Sequence, residues 1–173
     1  MHQDRARRWR AGRFGQIACG CFCSATTYGF SIITPGSAGA ANTITLTTGR
    51  GDVGAAGAAA INFAGGQTGV TVNTTGGNVY LQDTAGALGV TSITTTAAVN
   101  SGTASGAVNL TAAGNINLAG NIVTTGAANS TGTGSSGGQV NLTANEGAVT
   151  VANVTTSGGA STGGTNTGGN AGS

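Results

Sequence analysis

Val108-Asn109-Leu110-Thr111-Ala112-Ala113-Gly114-Asn115-Ile116-Asn117-Leu118 decides the fold. It holds two short aliphatic-x-aliphatic pairs joined by a turn of small and polar residues. A period of two puts Val108, Leu110, Ile116 and Leu118 on one face and Asn or Thr on the other, the pattern of half-buried strands. The phrase recurs on both sides. Downstream it is Gln139-Val140-Asn141-Leu142-Thr143-Ala144-Asn145-Glu146-Gly147, and upstream it is Gly77-Asn78-Val79-Tyr80-Leu81. The first Val recurs after 29 and then 32 residues, at Val79, Val108 and Val140. In each copy a further aliphatic stands 14 residues after that Val, at Ile93, Ile122 and Val154. Between them lie Leu88, Ile116 and Val149, offset by 9, 8 and 9 residues.

A sandwich needs alternating strands, but not strands that copy the one about thirty residues earlier. A chain that winds on itself does, because each coil buries its aliphatics against the equivalent sites of the next. The expected fold is therefore all-β, a right-handed parallel β-helix (β-solenoid) of roughly four to five coils, with Gly/Ser/Thr-rich side loops and an irregular N-terminal leader. The expected core columns are Val79, Val108, Val140; Leu81, Leu110, Leu142; and Ile93, Ile122, Val154. Aromatic residues are only 4% of the chain, as a narrow interior requires. Helices are disfavoured by the Gly and β-branched content and by the lack of a 3.6-residue stripe.

The rest of each unit reads as loop. Gly126 to Gly138 and Ser157 to Ser173 are Gly/Ser/Thr-rich and read as flexible excursions from one side of the coil. Ile44 and Leu46, Ile61 and Phe63, and Val70 and Val72 read as one or two degenerate coils of uncertain register. The expected organisation is a basic leader (1–40), solenoid repeats (41–157) and a flexible tail (158–173), with the chain read as a truncated piece of something longer.

Composition narrows the function classes. Of 173 residues 34 are Gly, with no period of three, so collagen is excluded. There is no Lys, and the only His is His2. The leader carries Arg5, Arg7, Arg8, Arg10 and Arg13 against Asp4, while the remainder has only Arg50, Asp52, Asp83 and Glu146. The overall charge of +2 thus describes the leader. Nucleic-acid binding needs several cations on one surface, and the body has one, so no nucleic-acid partner is expected.

The leader has the layout of an export signal. Its basic segment is followed by a mildly apolar stretch, Phe14 to Ile33, and then by Ala38-Gly39-Ala40, an A-x-A cleavage pattern. The alternative is a misassigned start or a non-native leader. The apolar stretch contains Gln16, Thr26 and Thr27 and is too polar for a membrane span. Cys19, Cys21 and Cys23 could meet a soft metal, but a zinc site needs a fourth ligand and the body has neither Cys nor His. No metal or cofactor is expected.

Residues 42–157 resemble a stretch of the large secreted bacterial β-solenoid exoproteins, the filamentous-haemagglutinin-like adhesins and related two-partner or autotransporter passengers. The phrases at Val108 to Leu118 and Gln139 to Gly147 carry the likeness. It is a likeness of repeat style; such proteins run much longer, and the N-P-N-x motif of their secretion domains is absent. The resemblance implies export to the cell surface and a non-catalytic structural or adhesive role. The implied partners are host-cell, matrix or glycan surfaces.

The remaining motifs are sparse. Three carboxylates scattered over different units offer no catalytic cluster, so no enzyme activity is expected. Arg50-Gly51-Asp52 spells the integrin-binding tripeptide in a Gly-rich turn and is a candidate cell-binding site; the alternative is a plain polar turn with a local ion pair. Five N-x-S/T sequons, at Asn73, Asn109, Asn129, Asn141 and Asn153, follow from a composition rich in Asn and Thr, and Asn109 and Asn141 occupy equivalent ladder positions. Thr43-Ile44-Thr45-Leu46-Thr47 has the spacing of ice-binding solenoids, an alternative weakened if Asn109, Asn117 and Asn141 interrupt the row. The open coil end is an unpaired strand edge, for which stacking with another copy is expected.

Overall fold

The structure is a computed structural model describing residues 32–33, 44–57, 60–63, 67–164 and 166–173, with the backbone alone at 32–33 and 67–68. Among the described residues ten strands follow one another: β1 (Ile32–Ile33), β2 (Ile44–Thr47), β3 (Ile61–Phe63), β4 (Gln67–Thr75), β5 (Val79–Asp83), β6 (Leu88–Thr96), β7 (Val108–Ala112), β8 (Ile116–Val123), β9 (Val140–Ala144) and β10 (Val149–Thr155). Odd strands form one sheet in the order β1-β3-β5-β7-β9, and even strands form the other, β10-β8-β6-β4-β2. Every pairing is parallel. The chain is a β-solenoid with five strands in each sheet, four turns from the first level to the last.

Register follows the repeat. Val79 pairs with Val108 and Val108 with Val140, while Leu81, Leu110 and Leu142 form the next column. In the facing sheet Leu46, Val72, Ile93, Ile122 and Val154 lie in one column. Because strand side chains alternate, these positions all point inward, and Val79, Ile93, Val108 and Ile122 are fully buried. Each such side chain removed from water is worth about 1.5–3 kcal/mol. Val154 keeps its column but is 45% exposed, since among the described residues no strand pairs with the far edge of β10.

Two details depart from the sequence reading. Each coil has two strands rather than three. The Leu88 and Ile93 sites share β6, the Ile116 and Ile122 sites share β8, and the Val149 and Val154 sites share β10. Register shifts at Val90/Ile93 and Val151/Asn153 take up the irregular spacing between them. The earlier segment also has a definite register, Ile44 against Val70 and Ile61 against Leu81. Its coils are shorter than the later ones, which hid it from an alignment at about thirty residues.

Of the expected leader only Ile32–Ile33 is described, pairing with Asn62 and Phe63. The arginine cluster, Cys19 to Cys23 and Ala38-Gly39-Ala40 lie outside the described residues. Among the described residues no helix is long and apolar enough to cross a membrane.

Candidate functional site

The outward positions of both sheets form rows of polar side chains. On the odd sheet Asn62, Gln82, Thr111 and Thr143 are in register, beside Tyr80, Asn109 and Asn141. On the even sheet Thr45, Thr71 and Ser92 form one row, and Thr47, Asn73, Thr94, Val123 and Thr155 the next. Parallel pairing spaces the members of a row by about 4.8 Å. Amide ladders run along the stack: Asn141 Nδ2 donates to Asn109 Oδ1 at 2.9 Å, and Asn153 Nδ2 to Asn121 Oδ1 at 3.1 Å. Asn109 and Asn141 stand on the odd sheet, so of the three Asn expected to interrupt the Thr row only Asn117 is on the even sheet.

Inside the stack a second repeat appears that the aliphatic pattern does not reveal. At or just past the end of each even strand a Thr hydroxyl donates to the carbonyl oxygen of a Gly further along the chain, and Gly77, Gly106 and Gly138 each stand two residues before the next odd strand. The pairs are Thr48 with Gly51, Thr74 with Gly77, Thr95 with Gly106, Thr124 with Gly138 and Thr156 with Gly172. The bonds at Thr74, Thr95 and Thr124 are each 2.7 Å and buried. The five Gly are themselves stacked. A methyl on Gly77 would overlap the carbonyl of Gly51, one on Gly106 that of Gly77, one on Gly138 that of Gly106, and one on Gly172 that of Gly138. Only a residue without Cβ permits this approach.

The Gly/Ser/Thr-rich excursions lie between Thr and Gly of the last three clasps, and they hydrogen-bond to one another. Ala97 and Asn100 donate to Thr125 and Ala128; Gly126 and Asn129 donate to Ser157 and Ala160; Gly134 and Gly137 donate to Thr167 and Asn170. In each case donors recur every third residue, the repeat of an extended three-residue helix. Outgoing and returning arms are also joined, Ser135 to Ala127 and Gly169 to Gly159. The excursions, which composition reads as flexible, are in the structure a laterally bonded wing whose Gly residues let extended chains approach on several sides. Ser135 Oγ is buried in it with no hydrogen-bond partner.

Arg50, Gly51 and Asp52 are exposed, but two of the three serve the stack. Gly51 begins the glycine column. Asp52 Oδ1 accepts from the Asn78 amide at 2.7 Å and Oδ2 from Asn78 Nδ2 at 3.3 Å. Asn78 Oδ1 in turn accepts from the Ala107 amide at 2.8 Å. Asp52 is thus the first member of a ladder, held by Asn78 rather than by an ion pair with Arg50. Asp83, 1% exposed, accepts from the amides of Ala85 and Gly86 and shapes the turn between β5 and β6. Glu146 is exposed in the turn between β9 and β10. Among the described residues no three His, Cys, Asp or Glu gather where they could hold a metal ion. Of the sequon amides, those of Asn129, Asn141 and Asn153 donate within the chain.

No family model, curated protein or solved structure matches this chain.

Proposed function

We propose that this β-solenoid is a non-catalytic structural or adhesive piece of an exported, surface-exposed bacterial protein. The observation that carries the reading is the set of in-register rows on two sheets, which offer hydrogen-bonding side chains, mostly Thr and Asn, at most levels. A ligand array that engages several levels gains effective concentration without a deep pocket. The carboxylates support a scaffold over turnover, since Asp52 and Asp83 shape the backbone and Glu146 stands apart from both. The partners that fit are glycan, matrix or host-cell surfaces presenting repeated hydrogen-bonding groups. Cleavage after Ala40 during export would remove β1 and uncover the edge of β3.

Immobilised protein is expected to retain cells or glycan-coated beads, and Thr111→Lys with Thr143→Lys on the odd face is expected to reduce that retention. Retention unaffected by these changes, or none by the parent chain, overturns the adhesive reading. Asp52→Ala tests the tripeptide separately. Because Asp52 serves Asn78, attachment is expected to persist; its loss in a variant that keeps its fold would assign cell binding to Arg50-Gly51-Asp52.

The even sheet favours a second reading, ice binding, because Thr45, Thr71 and Ser92 lie beside Thr47, Asn73 and Thr94 in adjacent in-register rows. An ice-recrystallisation assay separates the two. Inhibition at micromolar protein supports the second reading, and growth of coarse ice dismisses it.

A further inference from the structure

Tyr80 stands where the two following levels of the odd sheet have Asn109 and Asn141. The flanking Val79 and Leu81 are buried, so strand alternation turns the half-buried Tyr80 ring toward solvent. Phe63 is the only other aromatic among the described residues, and it is fully buried. The sheet also changes beside Tyr80. Val53 pairs with Val79 and Ile61 with Leu81, so residues 54–60 are inserted opposite Tyr80 alone. The chain turns away at Gly54, where φ is +75° and a Cβ would strike the Tyr80 carbonyl. Ala55, Ala56 and Gly57 are exposed. Bulges of this kind re-aim side chains and are common beside active sites.

Hydrogen-bonding groups near the ring are unused. Asn109 Oδ1 accepts from Asn141 Nδ2, which leaves Asn109 Nδ2 with no acceptor among the described residues. The Gln82 amide and the Thr111 hydroxyl, paired in the adjacent row, have no partner there either. No outward strand position on this face is charged. Asp52, one level before Asn78, adds a negative charge to that side of the stack and not a positive one.

We propose that Tyr80, with Asn109 and Gln82, is a stacking subsite for a neutral, extended β-linked glycan lying along the axis of the solenoid. Such a glycan is a ribbon with C–H groups on its faces and hydroxyls along its edges. The C–H face of one pyranose covers the Tyr80 ring, an apolar surface with a polar tip. The edge hydroxyls meet planar amides, which both donate and accept. Successive levels are about 4.8 Å apart, close to the length of one sugar unit in the ribbon, so the next unit falls over Asn109. An anionic polysaccharide would give up water here without meeting a cation, which is why the occupant is neutral. An aromatic surface with a few placed polar groups is the usual make-up of a site for a small ligand. The proposal rests on the adhesive reading and narrows its partner to one chemistry at one place.

The test is isothermal titration of the full chain with cellohexaose, a neutral 1,4-β-glucan oligomer, with far-UV circular dichroism and a thermal melt on every variant. The expected result is saturable binding. Tyr80→Ala should weaken it about tenfold or more, as truncation of an anchoring aromatic does. Tyr80→Phe, which keeps the ring, should stay close to the parent, and Asn109→Ala should weaken binding by less than Tyr80→Ala. Thr94→Lys, on the even sheet, should leave it unchanged. A hexamer of 1,4-β-mannuronate, charged at every unit, should bind more weakly than cellohexaose. No binding of cellohexaose by the parent chain overturns the proposal. So does parent-strength binding by a folded Tyr80→Ala protein, or tighter binding of the mannuronate oligomer. The adhesive reading is judged separately, by retention of cells or beads. Retention that survives Tyr80→Ala but not Thr111→Lys with Thr143→Lys leaves that reading standing and removes the subsite.

Discussion

The Thr124 hydroxyl donates to the carbonyl oxygen of Gly138 at 2.7 Å, 14 positions along the chain. The same bond joins Thr74 to Gly77 over 3 positions, Thr95 to Gly106 over 11 and Thr156 to Gly172 over 16. The clasp is constant while the chain it encloses grows. It fixes where one coil closes and the next opens, and so keeps both sheets in register whatever is inserted between. Loop closure becomes costlier only slowly with length, by about 0.6 kcal/mol per doubling. The wing also makes hydrogen bonds of its own, which helps explain how coils of such different length share one stack.

Removing that hydroxyl tests the clasp. Thr124 is fully buried, so Thr124→Val keeps the shape and leaves the Gly138 carbonyl without its hydroxyl donor in a dry interior. The expected loss is about 1–3 kcal/mol in chemical denaturation. Thr124→Ser, which retains the donor, should recover most of it. Equal stability of Val and Thr variants would show that the bond is incidental to closure.

The glycine column makes a sharper contrast between chemically identical substitutions. Gly106→Ala drives a methyl into the Gly77 carbonyl, backbone that cannot yield without breaking the register of the stack. It is expected to exceed about 4 kcal/mol, the exceptional tail of single substitutions. Gly49→Ala meets nothing within 4 Å and should stay within about 0.5 kcal/mol of the parent. Thermal melts of the two variants side by side are sufficient.

Core substitutions should grade with distance from the end of the stack. Leu110, 1% exposed, has Leu81 on one side and Leu142 on the other. Leu110→Ala leaves a cavity and is expected to cost about 2–5 kcal/mol. Val154→Ala removes half-exposed methyls at the last level and should cost about 1 kcal/mol or less.

The solenoid was legible in the sequence because aliphatic pairs carry a strong signal: Val79, Val108 and Val140 hold similar offsets, and like must bury against like. Other parts were not legible for definite reasons. The Thr–Gly clasp spans 3 to 16 positions, so no fixed-offset alignment finds it, and single Thr and Gly residues are unremarkable in a chain full of both. Composition marks the wing as flexible because Gly, Ser and Thr bury little apolar surface. Its order comes from backbone bonds between neighbouring arms, which composition does not encode. Arg50-Gly51-Asp52 was visible as a word, but the partner that occupies its acid, Asn78, lies 26 positions away and one level on.

Excision of one wing segment distinguishes an insertion from an integral part of the fold. The clasps at Thr48 and Thr74 close over two intervening residues, Thr75 and Gly76 in the second case. Replacing residues 96–105 by Thr-Gly would give the third coil the same short closure between Thr95 and Gly106. The carbonyls of Thr125, Ala128 and Ser136, which now accept from that segment, would turn to water. The expected product keeps its β spectrum and a single cooperative unfolding transition. Amide exchange should quicken at those amides of 125–137 that the excised segment screens from solvent, and stay slow in β7 and β8. Loss of cooperative unfolding would instead mean that the wing helps hold the two sheets together, and that the clasp alone does not close a coil.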